Sequence, residues 1–463
     1  MATFFVNLKK HSYEFFEEHS TLPDAWLLSS HRATDSTLEI ARQCASRSFA
    51  MMADNGTIAF IREHTERFAE AAEPIARHYR SLRRSLPAGR HTPYQTEVPD
   101  DLRANARRLF SDLCEAVDAA FTGIDPADQS HIQLQMDPTH VIAKEDWSIA
   151  VLLGLGLERE LLGYATRQYV SRNRGSIAEA ARLQSQEDWQ GRHIFSTLAA
   201  TDYTTSLAAG QEAAKAGIEN VALGFAGLNA DNSYTDTSYY PRRKRLKQPG
   251  PHRYIRLAEI MLGLRDAYRE APNLLRRVHV LGLGSRIMWS IPAAALDQWT
   301  EISIDSTAPI KDAEGPAPIV YDPRALDARM PISRLAGHWI ETGELPFESA
   351  ILSRGLDVLP CDARCARRVL EQLGEASPSH DLLRAGTALA DALPLFANGP
   401  GTALAGHFLT NHNFWVSVQA ASAIPEMGRR EWALRQLRDV AGQADASVTV
   451  RNGARAVLEV LDR

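Results

Sequence analysis

The chain has 463 residues, 51 Lys and Arg against 57 Asp and Glu, and a formal net charge of −6; 44% of its residues are hydrophobic and 23% charged. This balance excludes a globally basic nucleic-acid coat and leaves room for a local basic patch only. The composition is that of a globular protein with ample material for a core. The longest apolar run, Trp147–Leu157, is interrupted by Ser148 and falls short of the ~20 residues a membrane-spanning helix needs. Met1–Val6 shows no charged segment followed by a long apolar one, so no secretory signal is expected. Four cysteines are too few for a disulfide framework, and the expected compartment is the reducing cytoplasm.

Along the chain, short apolar runs alternate with longer helical patterns, the rhythm of parallel βα units. Strands are predicted at Ala25–Ser30, Phe49–Asn55, Ile132–Asp137, Ile194–Ala199, Val221–Ala226, Val278–Gly284 and Ile302–Thr307. Between them, Leu102, Phe110, Leu113, Val117 and Phe121 share one face of a helix over Asp101–Ile124, and Ile260, Leu264 and Tyr268 do so over Ile255–Glu270. Seven such units exceed the usual doubly wound sheet and point to an α/β (β/α)8 TIM-like barrel. Ile319–Tyr321 and Ser349–Ser353 compete for its eighth strand.

Two insertions interrupt the barrel. Residues 56–131 should hold two or more helices, broken near Pro74 and Pro87–Pro93. Residues 229–254 carry Tyr234, Tyr239 and Tyr240, then Arg242, Arg243, Lys244, Arg245 and Lys247 around Leu246. That composition suits either a loop binding a nucleic-acid backbone or a solvated surface loop. Arg172 and Arg174 are candidates to extend it. Beyond residue 360 helical patterns take over. The expected organisation is a catalytic barrel over 1–355 and a helical region over 356–463.

Three predicted strands end in a carboxylate: Asp54, Asp137 and Asp305. In a parallel barrel those ends open on one face, where active sites lie. Singly, each is more readily the N-cap of the next helix; as a set they favour convergence in one pocket. Gly224, Gly282 and Gly284 lie at strand ends too, where glycine permits close approach to a flat ligand or a phosphate. Gly282-Leu283-Gly284, with Asp305 23 residues beyond Gly282, partly matches a dinucleotide fingerprint, but Ile287 stands at the third glycine position.

Taken in order, these segments resemble the tRNA-guanine transglycosylase family. Asp305-Ser306-Thr307-Ala308-Pro309 is similar to its Asp-Cys-Val-Met-Pro nucleophile segment, and Leu281-Gly282-Leu283-Gly284 to its Met-Gly-Val-Gly strand end. Ala53-Asp54-Asn55-Gly56 resembles the Thr-Asp-Ser-Gly-Gly turn bearing the general acid/base. Met136-Asp137-Pro138-Thr139 resembles Phe-Asp-Glu-Cys, whose Asp reads the guanine edge. Ala222-Leu223-Gly224-Phe225 resembles the base-packing Ala-Ile-Gly-Gly, and Thr410-Asn411-His412-Asn413-Phe414 resembles Thr-x-His-Asn-Leu, whose His ligates zinc.

There are departures. Thr57 and Phe225 replace second glycines, Leu198-Ala199-Ala200-Thr201 stands where the family has Val-Gln-Gly-Gly, and the zinc run is reduced to Cys361 and Cys365. Within the family, this divergence and the insertions look most like the bacterial branch that places 7-deazaguanine bases in DNA.

The resemblance implies retaining base exchange. Asp305 would attack C1′ as the ionised nucleophile and form a covalent glycosyl ester, and Asp54 would handle the proton of the departing and arriving bases. Asp137 would accept from guanine N1–H and the exocyclic amine, with Gly224, Phe225, Gly282 and Gly284 around the base. The substrates implied are DNA, or tRNA, and a preQ0-like base; a target inside a duplex must be flipped out. Cys361, Cys365 and His412 would hold a structural Zn2+, with His407, Asp362 or His380 as fourth ligand. The two cysteines also suit small apolar residues on one helix face, and Cys44 and Cys114 are expected in the core. A homodimer is a further implication. A nicotinamide oxidoreductase, a non-catalytic nucleic-acid-binding subunit and a nucleosidase remain the competing readings.

Overall fold

The structure is a computed structural model, and it describes residues 2–18, 21–57, 64–84, 100–121, 129–145, 172–224, 252–315, 318–357, 403–443 and 446–462. Eight strands close a parallel barrel in sequence order. They are β1 (Ala2–Asn7), β2 (Ala25–Ser29), β3 (Ala50–Asp54), β4 (His140–Ile142), β5 (His193–Leu198), β6 (Asn220–Leu223), β7 (Arg277–Val280) and β8 (Glu301–Asp305). Most of their residues are buried on both faces, as in a sheet whose interior is filled and whose exterior is covered by helices. That explains why β1, β2 and β3 read as nearly continuous apolar runs.

The barrel was expected, but two strands differ from expectation. The eighth strand is neither candidate. It is β1, at the N-terminus, whose Phe4-Phe5-Val6 run is buried. Ile319–Tyr321 forms β9 and pairs antiparallel with β10 (Arg329–Pro331) in a separate two-stranded sheet, and Ser349–Ser353 leads into a helix over Ala350–Asp357.

The second difference concerns Ile132–Asp137. Residues Ser130–Gln135 are helical, and β4 begins five residues beyond Gln135, at His140. The alternation of Ile132, Leu134 and Met136 with polar residues mimics a strand, yet the buried positions are Gln133 and Met136, three apart on one helix face. Gln133 tolerates burial because its amide donates to the carbonyls of Ala53 and Ile142, both at 3.0 Å.

The chain divides into two compact units. The first comprises Met1–Trp26, Gly282–Trp289 and Ile304–Pro425. In it, α1 (Lys10–Glu18) packs Tyr13 against Trp26 with ring centroids 5.6 Å apart, and Phe4 of β1 lies 5.3 Å from Trp289 and 6.4 Å from Phe414. Val320 of β9 joins Leu335, Phe347, Leu352 and Leu409 in a further apolar cluster.

The second unit comprises Leu27–Leu281, Ser290–Ser303 and Glu426–Arg463. The insertion expected at 56–131 supplies helices over Thr65–Arg84 and Asp100–Phe121. Pro74 sits inside the first and does not break it. Cys44 is buried in the helix Asp35–Ser46, a core residue as expected, and Cys114 lies in Asp100–Phe121. Near the C-terminus the described residues are helical over Ala403–Ser422, Arg429–Gly442 and Val448–Leu461. No helix among the described residues is long and apolar enough to cross a membrane.

Candidate active site

Asp54 is the last residue of β3. The turn after it is fixed by Asn55, which is buried and bonded on every side. Its amide donates to the carbonyl of Ala143 at 2.7 Å, and its Oδ1 accepts from the N–H of Thr57 at 2.8 Å and the Thr57 hydroxyl at 2.6 Å. The Ser30 hydroxyl, just beyond β2, donates to the Asn55 carbonyl at 2.9 Å. Gly56 follows at φ +79°, where an added Cβ would fall 2.4 Å from the Cβ of His31. Thr57 is therefore a bonded member of the turn.

Asp305 closes β8 and is buried. Its Oδ1 accepts the N–H of Gly282 at 2.9 Å, and its carbonyl accepts the N–H of Leu283 at 3.0 Å. Gly282, at φ +71°, turns the chain at this point. Gly284 lies flat against the following segment; a Cβ there would meet that of Ala308 at 2.9 Å. The next residue after Asp305 is tied down as well, since Asn7 at the end of β1 donates from its amide to the Ser306 carbonyl at 3.0 Å. Asn7 is a rim residue that the sequence reading missed together with its strand.

Among the three expected carboxylates, Asp137 is misplaced. It precedes β4 at φ +46°, so it belongs to the strand's N-terminal end, the rim opposite the one where barrel active sites lie. Its side chain is 68% exposed and paired with Arg192 at 2.9 Å. With β4 over His140–Ile142, the acid that follows the strand is Glu145, 7% exposed. The run Val141-Ile142-Ala143 followed by Lys144-Glu145 was the signal that could have revealed it.

Gly224 directly follows β6, with its N–H directed to the carbonyl of Leu198 at 3.4 Å. Phe225 lies outside the described residues, as do Arg242, Arg243, Lys244, Arg245 and Lys247. Arg174 does not add a free cation to that stretch: it forms a bidentate pair with Glu212, its shortest bond 3.0 Å.

His412 does not fit a zinc ligand's role. Its Nε2–H donates to the carbonyl of Tyr321 at 2.8 Å, and its Nδ1 accepts from the Ser349 hydroxyl at 2.9 Å. Both ring nitrogens are thereby committed and no lone pair faces a metal. Burial drives its pKa down to about 4, so the ring is neutral. Asn413 beside it accepts the N–H of Tyr321 at 2.9 Å and donates to the carbonyl of Ile319 at 2.9 Å. The helix side chains thus satisfy the β9 edge that β10 does not pair, in the manner of a third strand. Cys361, Cys365, Asp362 and His380 lie outside the described residues, and nothing is described of the His407 side chain. Among the described residues no three His, Cys, Asp or Glu gather to hold a metal.

Asp305 and Gly282 in the first unit, and Asp54, Glu145 and Gly224 in the second, each close or follow a strand of the closed parallel barrel. The sequence matches no protein-family model and no curated protein.

Proposed function

We propose that the chain is a nucleic-acid guanine transglycosylase, a pentosyltransferase that exchanges guanine for a preQ0-like 7-deazaguanine base in DNA. The observation that supports this best is the anchored carboxylate of Asp305 at a barrel strand end, on a chain whose β3 ends in Asp54. In this reading Asp305 attacks C1′ and the bond from C1′ to guanine N9 breaks. Asp54 supplies the proton that guanine needs to leave and accepts one from the incoming base. Attack of that base on C1′ releases Asp305 and restores the original configuration.

The hydrogen bond from Gly282 suits a nucleophile because it fixes where the Asp305 carboxylate points. Glu145 takes the guanine-reading role expected of Asp137; a buried carboxylate accepts from N1–H and the exocyclic amine. No step runs through a metal.

The test is to incubate the protein with duplex DNA, single-stranded DNA and tRNA, each containing labelled guanine, with and without preQ0. Loss of label from DNA that requires the added base supports the proposal. Loss from tRNA alone assigns the other substrate of this chemistry, and loss without any added base makes the protein a nucleosidase.

A further inference from the structure

Resting on the reading above, we propose that Asp327 is a positioning residue for Asp305, acting through the loop that follows β7. Between Val280 and the short helical turn Arg286–Trp289 the chain has no regular structure. Yet this stretch provides the Gly282 N–H that holds the Asp305 carboxylate. Something outside the loop must keep it in place, and the turn between β9 and β10 does so.

Asp327, in that turn, accepts the backbone N–H of Arg286 on Oδ1 and the Ser285 hydroxyl on Oδ2, both at 3.2 Å. The bonding is reciprocal. Arg286 sends Nη2 to the carbonyl of Ala328 at 2.7 Å, and Arg329 sends Nη2 to the carbonyl of Gly284 at 3.4 Å. Each segment thus donates to and accepts from the other, over the consecutive residues Asp327, Ala328 and Arg329.

The arginines are themselves held by Tyr321. The Arg286 guanidinium, 1% exposed, lies 4.6 Å from the ring centroid and that of Arg329 lies 5.5 Å from it. Asp312 binds the Tyr321 hydroxyl at 2.7 Å and Arg329 at 3.1 Å. Burial lowers Arg286 to about 10 and pushes the Asp327 carboxyl above the usual carboxylate range, while the nearby opposite charges act against both shifts. Removing the carboxylate leaves a largely desolvated arginine with less to balance it, and it frees the Ser285–Arg286 end of the loop.

The consequence for catalysis follows from geometry, because a displacement of about 1 Å in a reacting group costs on the order of 10²-fold in rate. Asp327→Ala should lower kcat for labelled-guanine release about 10–100-fold with KM little changed. Asp327→Asn, which keeps an acceptor oxygen in the same place, should restore most of that rate. Amide hydrogen exchange in the peptide covering residues 281–289 is the readout independent of activity. It should be faster in Asp327→Ala, intermediate in Ser285→Ala, which removes one bond only, and close to wild type in Asp327→Asn. Wild-type exchange in both Asp327→Ala and Ser285→Ala would overturn the proposal, as would unchanged turnover in Asp327→Ala. If the wild-type protein releases guanine from no nucleic acid, the transglycosylase reading fails, and the exchange measurement still decides whether Asp327 holds the loop.

Discussion

Gly282 gives its backbone N–H to the Asp305 carboxylate at 2.9 Å, and Leu283 gives its own to the Asp305 carbonyl at 3.0 Å. Two consecutive amides after β7 therefore fix both the carboxylate and the backbone that carries it. Asp305→Ala should abolish trapping of a covalent protein–nucleic-acid species and reduce base exchange by at least about three orders of magnitude, as loss of a nucleophile does. Asp305→Asn should keep the fold and the Gly282 bond while losing the same activity. Denaturing gels with labelled DNA, read alongside melting temperatures, check both, and a trapped species from either variant would remove Asp305 from the role.

The turn after Asp54 leaves no space for a side chain. A Cβ on Gly56 would sit 2.4 Å from the Cβ of His31 and 2.8 Å from the Ser29 hydroxyl, on a backbone at φ +79°. Gly56→Ala thus combines a left-handed penalty of about 1–2 kcal/mol with overpacking of about 1–3 kcal/mol. Urea titration should show a loss in that range. Guanine release should fall too, because relief of the clash moves the backbone two residues from Asp54. Wild-type stability would mean that the turn adopts a different path.

Metal removal and pH both test the latch around His412. The β9 edge is satisfied by His412 and Asn413 directly, so overnight chelation should leave the melting temperature unchanged. His412→Ala leaves the Tyr321 carbonyl without a donor and the Ser349 hydroxyl proton without an acceptor, while Ser349 Oγ still accepts the N–H of Leu352 at 3.1 Å; the cost is about 1–3 kcal/mol for each buried group left unsatisfied. His412 falls from 6.5 to about 4, and His140, half-buried at the start of β4, to about 3, desolvation being the main cause in both. Both are lowered, so the unfolded chain takes up these protons first. Their contribution is complete above pH 6.5 and is lost as pH falls towards 4, by about 1.4 kcal/mol per pH unit for each histidine. His412→Gln should flatten the stability profile in that window by one proton's share. A steep loss on chelation would instead identify a metal within the fold.

How much of this was legible in the sequence depended on which signal each element carries. Strands buried on both faces, such as β2 and β3, announce themselves as apolar runs, and β8 by Ile302 and Ile304, so the barrel and the positions of Asp54 and Asp305 could be read directly. β1 has the same Phe4-Phe5-Val6 run, but it stands alone ahead of the first βα unit and was read only for the absence of a signal segment. Asn7 was missed with it. The helix over Ser130–Gln135 was concealed because Gln133 is a buried polar residue on its inner face, which turns a helical stripe into an apparent alternation. The role expected of His412 rests on a different kind of signal. A histidine that ligates a metal and one that bonds a strand edge look identical in a motif, and only the carbonyl of Tyr321 distinguishes them.

The reassignment from Asp137 to Glu145 is the sharpest test of the site. Asp137 forms an exposed ion pair with Arg192 at the N-terminal end of β4, and such pairs contribute about 0–1 kcal/mol. Asp137→Ala should therefore leave guanine release within about twofold of wild type, with a comparably small change in stability. Glu145 is 7% exposed just beyond the other end of the same strand. If it reads the guanine edge, Glu145→Gln replaces a group that only accepts by one whose amide donates towards N1–H or the exocyclic amine. A site left with mismatched polar groups rejects its substrate by several orders of magnitude, so release should fall at least about 10²-fold. Hypoxanthine, which lacks the exocyclic amine, should lose less from the substitution than guanine does. An inactive Asp137→Ala beside an active Glu145→Gln would reverse the assignment and place the base at the opposite rim.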